Sequence, residues 1–129
     1  MTHKLLIVDD SRGCADMYRM RFEHEGGWEV KIVYSAEAAL KLLQSDYRPD
    51  LILLDIMLPK MQGNELLDII REDEKLKDLK VIILTALNLA SGDETRLSEK
   101  AADYLLKINT KPRDLVKRAN EIVGKGKSE

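Results

Sequence analysis

Leu51-Ile52-Leu53-Leu54-Asp55 is a run of four apolar residues closed by a carboxylate, and Leu5-Leu6-Ile7-Val8-Asp9-Asp10 has the same shape nearer the N-terminus. A strand with one wet face alternates apolar and polar side chains; neither run alternates, so both of its faces must be covered. Similar runs stand at 30–33, 81–84 and 104–108, each short and bounded by polar or turn residues, and they read as three more strands. Between the runs the spacing turns helical: Cys14, Met17, Tyr18 and Phe22; then Ala36, Ala39, Leu40 and Leu43; then Leu66, Ile69 and Ile70. A weaker fourth helix centres on Leu97. The fifth carries Leu115, Val116, Ala119, Ile122 and Val123 on one face, with Pro112 in its first turn and Gly124 at its stop. Ser11, Ser35 and Asn64 stand where helix N-caps are wanted.

Alternating strands and helices with doubly buried strands predict an α/β fold, because right-handed crossovers lay helices over both faces of a parallel sheet. The expected architecture is a doubly wound, flavodoxin-like sheet of five parallel strands in the order 2-1-3-4-5, flanked by five helices. Ligands in such sheets bind at the carboxyl ends of the strands, at the crevice where the order reverses between strands 1 and 3. That places chemistry after Val8 and after Leu54, and both positions carry aspartate.

The 129 residues are enough for one domain with a proper core, and 44% hydrophobic with 34% charged residues describes a soluble globular chain. No apolar run reaches membrane-spanning length, and Met1-Thr2-His3-Lys4 leads into too short an apolar stretch for export. The lone Cys14 excludes an internal disulfide and points to a reducing compartment, so the expected location is cytoplasmic. A net charge of −2 argues against direct nucleic-acid binding, although residues 107–127 are locally basic. The domain is expected to span 1–124, with Lys125-Gly126-Lys127-Ser128-Glu129 a frayed tail or the start of a linker.

Asp9 and Asp10 at the end of strand 1 and Asp55 at the end of strand 3 would converge across the crevice. Three like charges need a cation, and an all-oxygen set with retained waters suits Mg²⁺. Thr85 ends strand 4, and Lys107 lies near the carboxyl end of strand 5, adding a hydroxyl and an ammonium that can hold phosphoryl oxygens. A carboxylate screened in this way can act as the nucleophile toward phosphorus and form an aspartyl-phosphate.

The stretches 5–11, 51–63, 81–86 and 102–107, with the separations from Asp10 to Asp55 to Thr85 to Lys107, resemble the response-regulator receiver domain of two-component signalling over nearly the whole chain. The resemblance implies that Asp55 is the phosphoacceptor, that Asp9, Asp10 and Asp55 hold Mg²⁺ with the backbone carbonyl of Met57, and that Thr85 and Lys107 bind the phosphoryl group. It also implies that Thr85 and Tyr104 form the switch, altering the helix 4, strand 5 and helix 5 face that includes Leu89 and Leu97. The partners implied are a sensor histidine kinase or histidine phosphotransfer protein, a downstream protein or fused effector domain, and a phosphorylation-dependent dimer.

The chain departs from the family where Ile108, not Pro, follows Lys107; if strand 5 slipped, Lys111-Pro112 would become the functional pair. Pro59 and Gly63 read as turn chemistry, and the charge run from Arg71 to Lys80 as a solvated helix end and loop. Competing readings are a receiver acting only as an interaction platform, an Asp-nucleophile phosphatase, which lacks its second acid in Asp55-Ile56-Met57, and a flavin module, whose phosphate Asp9-Asp10 would repel. The resemblance also implies that the positions two after the phosphoacceptor and two after the strand 4 hydroxyl orient the attacking water; here they are Met57 and Leu87, both apolar, which predicts a long-lived phosphoryl group.

Overall fold

A computed structural model describes residues 2–86 and 91–124, with 91–94 described as backbone only. Its elements are β1 (His3–Val8), α1 (Arg12–Glu25), β2 (Trp28–Val33), α2 (Ala36–Gln44), β3 (Leu51–Leu54), α3 (Gly63–Glu72), β4 (Val81–Thr85), α4 (Ser91–Ser98), β5 (Asp103–Leu106), a 3₁₀ turn (Lys107–Asn109) and α5 (Pro112–Gly124). The strands form one parallel sheet in the order β2-β1-β3-β4-β5. The fold class and strand order expected from the runs are those observed. Leu89 and Leu87 lie outside the described residues.

The period-two geometry of the strands sorts the core into two halves. Leu6, Val8, Ile52, Leu54, Val81 and Ile83 face α2 and α3, meeting Ala36, Ala39, Leu43, Leu66, Leu67 and Ile70. Leu5, Ile7, Leu51, Leu53, Ile82 and Leu84 face α1 and α5, meeting Ala15, Phe22, Leu115, Val116 and Ala119. At about 1.5–3 kcal/mol for each large side chain removed from water, this double burial makes the central strands the rigid frame of the molecule. Trp28 closes the second half at the β2 end, edge-on to Phe22 with centroids 5.2 Å apart and its Nε1 donating to Asn120 Oδ1 at 3.0 Å.

Two local expectations need correction. Strand 5 ends at Leu106, not at 108, and Lys107 opens the 3₁₀ turn that leaves Ile108 exposed. The N-cap of α3 is Gln62 rather than Asn64, and its amide donates to Glu65 Oε1 at 2.8 Å. Asn64 sits inside the first turn instead, with a buried Oδ1 that meets no hydrogen-bond donor. Ser11 and Ser35 do cap α1 and α2, accepting from the amides of Cys14 and Ala38.

Candidate functional site

Asp9, Asp55 and Thr85 are the buried polar side chains among the described residues, and all three lie at carboxyl ends of central strands. Asp9 follows β1 and Asp55 follows β3, and the two chains are stitched at this level by the Asp55 amide donating to the Val8 carbonyl at 3.1 Å. Their carboxylates are fixed from below by local backbone: the Ser11 amide donates to Asp9 Oδ1 at 2.9 Å, and the Met57 amide donates to Asp55 Oδ1 at 3.0 Å. Ile7, Leu53, Leu84 and Tyr18 form an apolar floor under both acids. Burial pushes the Tyr18 phenol up to about 12, so this hydroxyl stays neutral.

The remaining oxygens share one cation. Lys107 Nζ stands 2.8 Å from Asp9 Oδ2 and 3.0 Å from Asp55 Oδ2, with its side chain only 15% exposed. Burial opposes the ammonium charge, but hydrogen bonds to the two carboxylates outweigh it and hold the lysine above its usual range. Asp9 shows the reverse balance: desolvation raises its pKa more than Lys107 and the Ser11 amide lower it. Lys111, the alternative to Lys107 had strand 5 slipped, is on the surface.

Asp10 completes the acidic group from its exposed edge, and one oxygen from each of Asp9, Asp10 and Asp55 lies within 4.8 Å of the others. Three carboxylate oxygens gathered this closely are the hard oxygen donors that Mg²⁺ prefers, so Asp9, Asp10 and Asp55 would suit that ion. The charges agree. Three carboxylates facing one ammonium leave two negative charges uncompensated, and a dication cancels them.

Thr85 is fully buried and pairs with Leu106, the residue before Lys107, so the last rung of the sheet brings the chain segments that carry the hydroxyl and the ammonium next to each other. Tyr104 pairs with Ile83 and packs, half-buried, against the α2 and α3 half of the core. Thr85 and Ile83 share strand parity, so Thr85 and Tyr104 face the same side of the sheet. Met57 is held by its amide on Asp55 while its side chain is 52% exposed beside the site.

Two contributors were missed by sequence reasoning. Gly63, read as turn chemistry, is pressed on the main chain after Asp55: a Cβ there would lie 2.1 Å from the Asp55 carbonyl oxygen. Arg71, read as part of a solvated charge run, is partly buried and bonded to main-chain carbonyls. The sequence holds no separate signal for either contact.

A family model described as the response regulator receiver domain matches residues 5–120. The response regulator SaeR of Staphylococcus epidermidis is 37% identical over 129 residues, 97% of this chain and 52% of SaeR, so the chain spans about half the length of that relative. The polar-differentiation response regulator DivK of Brucella ovis is 34% identical over 114 residues, 88% of this chain and 90% of DivK. A solved receiver domain of a Francisella response regulator superposes with a TM-score of 0.83 at 29% identity, covering 98% of this chain and 100% of the other.

Proposed function

This chain belongs to the response-regulator receiver family of two-component signalling, and we propose that Asp55 is its phosphoacceptor, with Asp9, Asp10, Asp55 and the Met57 carbonyl as its Mg²⁺ ligands. Phosphorylation on aspartate is the general function of that family, and its members generally bind Mg²⁺. The observation that carries the assignment to Asp55 is the Lys107 ammonium, which bridges the buried carboxylates of Asp55 and Asp9 beside the exposed Asp10. An Asp55 oxygen attacks phosphorus, the bond from phosphorus to the donor nitrogen or acyl oxygen breaks, and the leaving group departs with that electron pair. Lys107 and the Thr85 hydroxyl then hold phosphoryl oxygens, and the apolar floor keeps these contacts in a medium where charge attraction is strong. Mg²⁺, when bound, neutralises the charge of the incoming phosphoryl oxygens. The chain thereby catalyses its own phosphorylation, and its dephosphorylation when water attacks phosphorus, the bond from phosphorus to the Asp55 oxygen breaks, and inorganic phosphate leaves the restored carboxylate.

The donor proposed is a histidine kinase or histidine phosphotransfer protein. Among the described residues the exposed large apolar side chains are Met17, Met20, Met57 and Ile108. Met57 and Ile108 lie on the loops that carry the site, and Met17 and Met20 line a groove on α1 with Arg21, His24 and Pro112. Exposed methionines suit a protein partner that docks by apolar contact. The proposed output is a change in the α4, β5 and α5 face, read by a downstream protein, a fused effector domain or a second copy, in the cytoplasm. The shared facing of Thr85 and Tyr104 supports this route, because a phosphoryl group that draws Thr85 changes the space beside Tyr104.

The metal assignment is tested by calorimetry. Asp10→Ala removes one of three acidic ligands and should weaken Mg²⁺ binding by at least about tenfold while leaving the fold intact, because Asp10 is exposed. Equal affinity in parent and variant would move the ion elsewhere. The lifetime of the phosphoryl group is tested at Met57. Its thioether cannot orient an attacking water, so Met57→Asn should speed phosphoryl loss by about tenfold or more without slowing loading. Equal or slower loss would mean that another group governs water access.

A further inference from the structure

We infer that Arg71, at the far end of α3, is a positioning residue that sets the place of Lys107 by pinning the amino ends of β4 and β5 together. The inference rests on the reading of Lys107 as a phosphoryl-holding group. Arg71 Nε donates to the Lys100 carbonyl at 2.7 Å, and its Nη1 donates to the carbonyls of Lys77 at 3.0 Å and Leu79 at 2.9 Å. Lys77 and Leu79 lie on the segment that leads into β4, and Lys100 on the segment that leads into β5. One guanidinium therefore holds the starts of both strands, at the edge of the sheet opposite the acidic pocket. A second α3 residue, Asp68, pairs with the Lys100 ammonium.

The need for such a clamp follows from where β5 lies. It is an edge strand of four residues, paired only with β4, and its ladder runs from Ile82 with Asp103 to Thr85 with Leu106. A strand advances about 3.3 Å per residue, so a slide of a fraction of one step at the amino end reaches Lys107 undiminished. Lys107 must nevertheless bring its ammonium to within 3.0 Å of carboxylates that follow β1 and β3, across the intervening β4. Asp9, Asp10 and Asp55 do not depend on this register, because β1 and β3 are doubly buried and paired on both sides. A planar, charged fork is well suited to the task, since its bonds to carbonyls are strong and directional, and a partly buried guanidinium loses much if it leaves them. Burial of Arg71 lowers its pKa, against the pull of Asp78, yet the group stays charged.

The test separates the metal ligands from Lys107. In the full chain, Arg71→Met should leave Mg²⁺ affinity within about twofold of the parent, while phosphoryl loading from acetyl phosphate at saturating Mg²⁺ falls on the order of tenfold, less than the roughly hundredfold that a full misplacement of about 1 Å at a reacting group can cost, because Lys107 holds the phosphoryl oxygens and does not itself react. Arg71→Lys, which keeps a charge but offers no fork, should load at an intermediate rate, and it serves alone if the methionine variant does not fold. A second readout needs no phosphorylation: the ¹⁵N signal of the Lys107 ammonium, protected by two carboxylates in the parent, should broaden or vanish in the variants. A parental Lys107 signal in a folded variant overturns the proposal, as does a parallel fall in Mg²⁺ affinity, which would show a general loosening of the site. If the parent binds Mg²⁺ but does not load, and the signal is still lost in the variants, the positioning role stands and the phosphoacceptor assignment fails.

Discussion

Asp55→Asn should lose phosphoryl loading altogether, at least about 10³-fold in rate, while it folds and melts like the parent. The amide keeps the shape of the carboxylate, so its oxygen still accepts from the Met57 amide and the β1 to β3 stitch from Asp55 N to Val8 O is untouched. What disappears is the oxyanion that attacks phosphorus. Lys107 retains Asp9 at 2.8 Å, so the ammonium is not left buried without a partner, and the loss of one carboxylate does not empty the pocket of charge. The measurement is intact mass after incubation with acetyl phosphate and Mg²⁺, with the parent gaining one acid-labile phosphoryl group. An adduct of the same size on Asp55→Asn would place the nucleophile on another residue, and an acid-stable adduct on the parent would exclude an acyl phosphate.

The parts of this molecule legible in the sequence are those whose causes are local or periodic. Leu51-Ile52-Leu53-Leu54 announces a strand buried on both sides, and from the alternation of such strands with helices the sheet order and the place of Asp9 and Asp55 follow. The end of β5 was not legible, because residues 104–108 are apolar enough to continue a strand. The chain instead turns at Lys107, whose ammonium meets two carboxylates far away in the sequence, a contact that residues 104–108 alone do not announce. The cap of α3 was misread for a similar reason: Asn64 is the better capping residue by type, but the approach of Gly63 to the Asp55 main chain starts the helix earlier and leaves Gln62 at the cap. Arg71 was hidden by its neighbours. In a run of charges it is indistinguishable from a solvated arginine, and only the fold brings the Lys77, Leu79 and Lys100 carbonyls to it.

Gly63→Ala should both destabilise the fold and disable the site, which few single methyl groups do. The first residue of α3, Gly63, packs on the chain that leaves Asp55, with its amide donating to the Ile56 carbonyl at 3.0 Å. An added Cβ would stand 2.1 Å from the Asp55 carbonyl oxygen and 2.8 Å from the Ile56 Cα, and both obstacles are main chain that cannot rotate away. Relief requires α3 or the Asp55 loop to move, yet Leu66, Leu67 and Ile70 anchor the helix in the core while the Val8 carbonyl holds Asp55. Overpacking of this kind costs about 1–3 kcal/mol, and a shift of about 1 Å at a reacting carboxylate can slow loading on the order of a hundredfold. Gly13→Ala is the control: nothing lies within 4 Å of its added Cβ, and alanine favours a helix over glycine by about 0.5–1 kcal/mol, so that variant should melt at or above the parent. Thermal melts and loading rates at saturating Mg²⁺ decide the matter. A Gly63→Ala protein that melts and loads like the parent would show that the loop relaxes at no cost and that the close approach does not hold Asp55 in place.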